Sequence, residues 1–251
     1  MKKEELGSNT AKNGFKNEHF ILDKFNNWKN DDQALDWLTK MQYNINEIQD
    51  VKAVKVKGSF KSDIQVQIKI VITLKETIDV QNISVKLVSN ANGYNQIDKR
   101  WLSKYQELWN MPLNIYNILQ RYTGETLPDI QNPKDSRRMF ANEFSLEEQS
   151  AVLKFLNENK VLIISDLLKG RGEFSAEWFL VVLNEESCLS YSLESINFVM
   201  NFFGNGKIVI TEKGNFRIGK ITMQRKGGDA GRKTAQMLQF KINPALLISR
   251  N

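Results

Sequence analysis

The stretch Ile83-Ser84-Val85-Lys86-Leu87-Val88 decides the fold of this chain. Its apolar residues alternate with Ser84 and Lys86, which is the period of a β-strand that buries one face. The same alternation occurs earlier, at 54–57 and 64–70, so the sequence predicts three consecutive strands. Because the two polar residues are two positions apart, Ser84 and Lys86 share one face of the last strand and can point at one spot.

Helical spacing of apolar residues occurs on both sides of these strands, with a capping box at Ser145 and Glu148. The predicted helices run from Ser8 or Asn9 to Lys29, Asp32 to Met41, Ile97 to Trp109, Leu113 to Tyr122, Val152 to Asn159 and Ser192 to Phe203. Gly124 to Pro133 is the one long loop, and alternation returns between Ile208 and Ile242. No repeat or linker divides the chain. We therefore expect one α/β domain over 1–251, with a central mixed sheet flanked by helices.

Composition limits the class of protein. At 251 residues and 41% apolar content, the chain can bury a sizeable core. The single cysteine, Cys188, cannot form an internal disulfide, and with the single histidine, His19, it leaves no set of ligands for structural zinc. The polar stretch Met1-Lys2-Lys3-Glu4-Glu5 has no apolar run of the kind found in signal peptides. We expect a cytoplasmic protein without a membrane span.

Positive charge is concentrated near the C-terminus. Nine of the 35 residues from Lys207 to Lys241 are Lys or Arg and only two are acidic, whereas the first fifty residues carry seven Lys against nine Asp or Glu. Such a local excess is typical of a nucleic-acid-binding face. Its centre is Gln224-Arg225-Lys226-Gly227-Gly228, where Arg225 and Lys226 are predicted to read guanine and Gln224 to assist. The DNA-reading part is expected at about 205–245.

A second predicted contact with nucleic acid is the loop Gly93-Tyr94-Asn95-Gln96, followed by Lys99 on the expected helix. Tyr94 could wedge into a base step while Asn95 and Gln96 contact base edges. The alternative is that Tyr94 only packs this loop down. Five further basic residues are predicted to contact phosphates: Lys134, Arg137, Arg138, Lys169 and Arg171.

The residue inventory also limits the chemistry. One histidine excludes most His-dependent hydrolase schemes, and no Walker loop or Gly-rich dinucleotide motif follows a strand. What remains is an acidic residue with a metal and a lysine, here Asp63, Lys86 and the neighbouring Ser84. Spacing alone is a weak signal for such a site. By itself it favours the alternative, in which Ser84 and Lys86 belong to the solvated face of an edge strand.

Several blocks of sequence, in order, resemble a known family. They are Glu5-Leu6-Gly7-Ser8, Gly14-Phe15-Lys16-Asn17-Glu18, Lys61-Ser62-Asp63, Val85-Lys86-Leu87-Val88-Ser89-Asn90, Asn95-Gln96-Ile97-Asp98-Lys99, Arg137-Arg138-Met139-Phe140, Gly170-Arg171-Gly172-Glu173 and Gln224-Arg225-Lys226-Gly227-Gly228-Asp229. Over nearly its whole length the chain resembles the HinPI type of restriction endonucleases. These are small members of the PD-(D/E)xK nuclease superfamily and are similar to MspI.

The resemblance implies roles for individual residues. Asp63 matches the metal-binding aspartate and Lys86 the catalytic lysine, within a catalytic core of about 1–125. Ser84 departs from the pattern, because the superfamily usually has Glu at this position and this group has Gln or Asn. A metal would then depend more on Asp63, the Val85 carbonyl, water and phosphate oxygens. Glu18 could supply the missing charge, or it could be an ordinary carboxylate on a helix surface.

The resemblance also implies an activity. It indicates a type II restriction endonuclease that depends on Mg²⁺, with Mn²⁺ as a substitute, and cuts double-stranded DNA at GCGC to leave 5′ overhangs. The group is monomeric, and a weak dimer is compatible with this sequence. Two rival hypotheses stay open at this point: a repair or structure-specific nuclease of the same fold, and a DNA-binding protein that has lost catalysis through Ser84.

Overall fold

The computed structural model of the protein describes residues 19–56, 66–185, 188–228 and 231–249. Within these residues the chain forms two five-stranded sheets. The strands are β1 (Ile48–Lys55), β2 (Val66–Leu74), β3 (Ile78–Val88), β4 (Asn95–Arg100), β5 (Trp178–Glu185), β6 (Cys188–Ser195), β7 (Ile208–Ile210), β8 (Phe216–Ile218), β9 (Ile221–Arg225) and β10 (Leu238–Ile242).

The central sheet has the strand order β1-β2-β3-β5-β6. It is mixed, because β3 and β5 are parallel while the other neighbours are antiparallel. The second sheet has the order β4-β10-β9-β8-β7 and is antiparallel throughout. The predicted α/β class with a mixed sheet is confirmed, and the second sheet adds a layer that the sequence pattern did not separate from the first.

Seven α-helices surround the sheets in the described part of the chain. They are α1 (19–26), α2 (Asp32–Lys40), α3 (Leu102–Trp109), α4 (Leu113–Thr123), α5 (Leu146–Glu158), α6 (Lys160–Leu168) and α7 (Ile196–Gly204). The Asp31 side chain accepts a hydrogen bond from the Ala34 N–H and so caps α2, and the predicted capping box of Ser145 and Glu148 begins α5. Gly124 ends α4 at a φ of 81°.

Two predicted helices begin later than expected. The helix expected from Ile97 begins at Leu102, because residues 95–100 form β4 and pair with β10. The helix expected from Ser192 begins at Ile196, because β6 continues to Ser195 in antiparallel pairing with β5. In both cases pairing with a distant strand overrides the local helical spacing.

Apolar side chains form a cluster on each face of the central sheet. One cluster joins α1 and α2 to the sheet and includes Phe25, Trp37, Val85 and Leu180. The other fills the space between the opposite face, helices α3 to α7 and the second sheet. Burial of each such side chain contributes roughly 1.5–3 kcal/mol, so β3 and β5 are held from both sides. None of the helices in the described residues is long and apolar enough to cross a membrane.

Candidate functional site

Ser84 and Lys86 are buried in the middle of the central sheet. Their exposed fractions are 1% and 3%, so neither belongs to a solvated face. β3 is an interior strand, in which Ser84 pairs with Gln67 on β2 and with Phe179 on β5. The alternative that these two residues lie on the exposed face of an edge strand is therefore wrong.

Two buried oxygen atoms on this strand have no hydrogen-bond partner among the described residues: Ser84 Oγ and Asn82 Oδ1. Asn82 lies two residues before Ser84 and thus on the same face. Its Nδ2 donates to the Glu173 carbonyl at 2.9 Å and to the Ser175 carbonyl at 3.2 Å, which fixes the side chain. An unsatisfied buried polar group costs about 1–3 kcal/mol, so two neighbouring ones indicate a place for a ligand.

The Lys86 ammonium group is held by the second sheet. Its Nζ donates to the Gln96 carbonyl oxygen on β4 at 3.2 Å. Gln96 Oε1 accepts a hydrogen bond of 2.6 Å from Gln239 Nε2 on β10, and Gln239 Oε1 lies 3.5 Å from Gln224 Nε2 on β9. We call Gln96, Gln239 and Gln224 the glutamine chain. It connects Lys86 with the strand that leads into the basic C-terminal segment.

The loop between β3 and β4 carries the predicted wedge residue. The Tyr94 side chain is 61% exposed, so it does not pack the loop down as the alternative required. Asn95 Nδ2 donates to the Leu87 carbonyl at 3.2 Å and thereby ties β4 to the strand of Lys86. Lys99, expected on a helix, lies instead on β4 opposite Gln239. Asn95, Gln96 and Lys99 thus belong to the second sheet.

Asp63 and Glu18, the predicted carboxylate ligands, lie outside the described residues. The nearest described neighbour of Asp63 in the chain is Val66, which pairs with Val85 on β3. Within the described ranges no group of three or more His, Cys, Asp or Glu side chains could hold a metal ion. The part of the site that is described therefore contributes a lysine, a hydroxyl and an amide oxygen.

Several predicted phosphate contacts are already bonded within the fold. Arg171 donates to Asp166 at 2.9 Å and to the Leu108 carbonyl at 3.2 Å, Lys134 donates to Asn142, and Arg137 forms a two-point pair with Asp135. The phosphate role of Arg171 stays a prediction; within the fold it is one of two arginines that pair with the buried carboxylate of Asp166. Lys169 is half-buried at the end of α6.

The end of β9 borders a basic cavity. Arg225 is the last residue of the strand, and Gly227 and Gly228 follow with φ values of 63° and 64° and open space where a Cβ would lie. The cavity beside them has a volume of about 430 Å³ and is lined by Arg225 and Arg138 among other basic residues. The two predicted DNA contacts, at the β3–β4 loop and after β9, are thus carried by the same second sheet.

Asn82, Gln239 and Arg138 have a larger part in this arrangement than the sequence suggested. Asn82 and Gln239 were not singled out at all, although Asn82 continues the same-face spacing of Ser84 and Lys86 by two residues. Nothing in the local sequence marks Gln239, because its contact with Gln96 spans 143 residues.

Comparison with known proteins identifies the family. A model of the R.HinP1I restriction endonuclease family matches residues 41–248. The chain belongs to this restriction endonuclease family. Among solved structures, restriction endonuclease MspI in complex with its cognate DNA has a similar fold, with a TM-score of 0.67. The two chains are 12% identical, and the alignment covers 96% of this chain and 93% of MspI. A search of curated proteins finds no match.

Proposed function

We propose that this family member is a type II restriction endonuclease that hydrolyses double-stranded DNA at the palindrome GCGC and leaves 5′ overhangs. The observation that carries the proposal is the burial of Lys86 on an interior strand, in hydrogen-bond contact with a sheet that bears both predicted DNA contacts. Burying a charged lysine costs free energy unless the ammonium group is hydrogen-bonded or paired, so a lysine in this position suggests a function. The family match and the MspI-like fold agree with this role.

In the proposed reaction, Lys86 orients the attacking water and stabilises the negative charge that develops on the scissile phosphate. Its ammonium group is kept in place by the Gln96 carbonyl, which can only accept a hydrogen bond. A positioned charge of this kind needs no reorganisation during the reaction and so lowers the barrier.

A magnesium ion, for which Mn²⁺ can substitute, is proposed beside Lys86. The residues that would hold it are Asp63, Ser84, the Val85 carbonyl and Glu18. When bound, such an ion neutralises phosphate charge and lowers the pKa of a bound water. The described residues fit this group, because Ser84 Oγ and Asn82 Oδ1 are unpartnered buried oxygens and Mg²⁺ prefers oxygen ligands.

The proposed partner is a DNA duplex, bound by a monomer in the cytoplasm, where incoming DNA is met. Tyr94, Asn95, Gln96 and Lys99 would contact it from the β3–β4 side, and the segment Gln224–Lys226 from the end of β9. The exposed ring of Tyr94 suits insertion at a base step. The similar MspI structure contains its cognate DNA, which supports a duplex as the partner.

A digest tests the proposal. Unmethylated DNA is incubated with the protein and Mg²⁺, and the new ends are sequenced; we expect GCGC termini with 5′ overhangs. Scattered or structure-bound ends would indicate a repair nuclease instead, and uncut but bound DNA would indicate a binding protein that has lost catalysis.

The lysine is tested in the same assay. We expect Lys86→Ala to cut about 10²–10³-fold more slowly, the usual range for loss of one positioned group that stabilises developing charge. Lys52→Ala is the matched control, because Lys52 is an exposed lysine of the same sheet. A Lys86→Ala protein that cuts as fast as this control contradicts the assignment.

A further inference from the structure

The cavity beside the end of β9 is strongly basic. It lies where the segment 135–138 faces the turn that follows Arg225, and its volume of about 430 Å³ is within the usual range of ligand pockets. Its lining includes five basic residues and one acidic residue: Arg137, Arg138, Arg225, Arg232, Lys233 and Asp135.

Among the described residues of this lining there is one carboxylate, Asp135, and it pairs with Arg137. Asp135 accepts hydrogen bonds from Arg137 Nε and Nη2, both at 2.9 Å. These bonds lower the pKa of Asp135 to about 2, so the carboxylate is charged at neutral pH. Arg137 binds both carboxylate oxygens in this fork, whereas Arg138 meets Asp135 through the backbone, its N–H donating to the Asp135 carbonyl at 3.2 Å.

Within the described part of the chain, Arg138 and Arg225 each keep a buried N–H without an acceptor. The atoms are Arg138 Nη1 and Arg225 Nε. The Arg138 guanidinium lies over the Phe140 ring at 4.0 Å, which fixes the plane of the fork without satisfying its donors. Burial lowers the pKa of Arg225, and the charges of Arg138 and Arg137 lower it further, so the cations of this lining repel one another. Both remain charged, since arginine does not lose its proton in proteins.

We propose that this cavity binds a phosphate group between Arg138 and Arg225. A phosphate oxygen accepts from a guanidinium fork and also cancels the repulsion between two like charges. A guanine edge would satisfy the donors but would leave the repulsion in place, because it is neutral. In this proposal Arg225 binds phosphate instead of the guanine predicted from the sequence, and Gln224 and Lys226 read the bases. The inference depends on the proposed function only for the source of the phosphate, the DNA backbone.

Thermal unfolding of the full-length protein without divalent metal tests the site itself. We expect the midpoint to rise by a few degrees as inorganic phosphate replaces chloride at constant ionic strength, because a ligand that binds only the folded state stabilises it. Arg225→Gln and Arg138→Gln should each lose most of this rise while unfolding no earlier in chloride, since each removes one of two repelling charges. Arg217→Gln, an exposed arginine on β8, is the matched control and should keep the rise. A wild-type protein that does not respond to phosphate overturns the proposal.

Binding of a short duplex tests the DNA backbone as the source. Affinity is measured over a salt series in EDTA, where no cutting occurs. Loss of one phosphate contact reduces the slope of log K against log salt by about 0.9. Each single variant and the double variant should show this same reduction, because both arginines hold one phosphate. An unchanged slope, with the thermal response intact, supports a free phosphate as ligand and overturns the backbone as its source.

Further comparisons keep the outcome clear. Arg225→Lys keeps the charge but not the fork, so it should retain part of the phosphate response; a complete loss equal to that of Arg225→Gln contradicts the fork geometry. If Arg138→Gln does not fold, the Arg225 variants alone decide the question. A protein that responds to phosphate but does not cut DNA contradicts the proposed function and supports the phosphate site. A protein that cuts GCGC without any phosphate response supports the proposed function and contradicts the phosphate site.

Discussion

Ser84 is a buried hydroxyl with no internal partner, on the strand that also carries Lys86. The folded protein alone gains nothing from the hydroxyl. Its free energy cost is about 1–3 kcal/mol, which an apolar residue of similar shape would avoid. A substitution at Ser84 therefore distinguishes an effect on stability from an effect on activity better than a substitution at Lys86.

Ser84→Ala is predicted to leave the free energy of unfolding unchanged or to raise it by about 1 kcal/mol. The same substitution should reduce cleavage most at low Mg²⁺, because it removes one of the proposed oxygen ligands. Urea unfolding without metal gives the first quantity, and cleavage over a Mg²⁺ series gives the second. A variant that is clearly less stable would show that the hydroxyl has a structural partner after all.

For single residues, the sequence predicted which face of a strand a side chain lies on but not whether that face is buried. The two-residue spacing correctly put Ser84 and Lys86 on one face of a strand. It could not distinguish a solvated face from a buried one, since β5, which covers the open edge of β3, lies about 95 residues further on and parallel to it. For Arg225 the sequence predicted guanine reading; that Arg138 lies near it could not be predicted, because Arg138 comes from a distant segment.

Single hydrogen bonds between elements position the site. β4 joins the second sheet to the central sheet through the Lys86–Gln96 contact, and α6 fixes the end of β4 through Asp166. Asp166 is almost fully buried and accepts hydrogen bonds from Arg100, Arg171 and the Trp109 indole.

Gln239→Leu should interrupt the glutamine chain. Leucine cannot donate to Gln96 Oε1, so the backbone that holds Lys86 loses a support worth about 0.5–1.5 kcal/mol. We expect the single-turnover cleavage rate to fall by about tenfold while duplex affinity stays nearly constant, which identifies a positioning role. Gln49→Leu, on the exposed part of β1, is the control. A loss of affinity without a loss of rate would assign Gln239 to DNA binding instead.

Asp166→Asn should cost about 3 kcal/mol of stability at neutral pH, because two arginines lose a buried carboxylate. Burial raises the pKa of Asp166, but the charge of Arg100 and the hydrogen bonds from Arg171, Arg100 and Trp109 lower it more, so the folded pKa lies below the unfolded one. The stabilisation is therefore present above about pH 4, the unfolded value, and is lost as the pH falls through the folded pKa. Unfolding measured from pH 3 to 7 should show a smaller pH dependence in the variant. Asp129→Asn, in an exposed ion pair, should change stability by less than about 1 kcal/mol.

The two helices whose starts were wrongly predicted have a common physical cause for the error. Residues 95–100 contain one apolar position, Ile97, so the pattern alone favours continuing the helix that follows; they are a strand because β10 pairs with them from about 140 residues away. The same holds for residues 192–195 beside β5. Caps such as Ser145 were predictable since all their partners lie within one turn.

The two apolar clusters share the central sheet between them. Leu180 faces the cluster with α1 and α2, while its neighbour Val181 faces the one with α3 to α7. Because β5 contributes side chains to both clusters, unfolding of one cluster disturbs the packing of the other. We therefore expect the described parts to unfold together.

Leu180→Ala and Leu167→Ala probe the two clusters with the same change. Both residues are fully buried, so each substitution should cost about 2–5 kcal/mol. Far-ultraviolet circular dichroism and tryptophan fluorescence should report one coincident urea transition in both variants, with an unchanged m-value. Two separate transitions, or a shift seen by one probe only, would mean that the clusters are independent units.

The parallel pairing of β3 with β5 also orders events during synthesis. Ile83 pairs with Trp178, so the ribosome must add 95 residues after the first before the second exists. At roughly 5–20 residues per second this takes about 5–20 s, and Gln239 follows later still. Until then Lys86 lies on an unpaired edge without its support from the second sheet. The surroundings of Lys86 are therefore complete only after the chain has been made as far as Gln239.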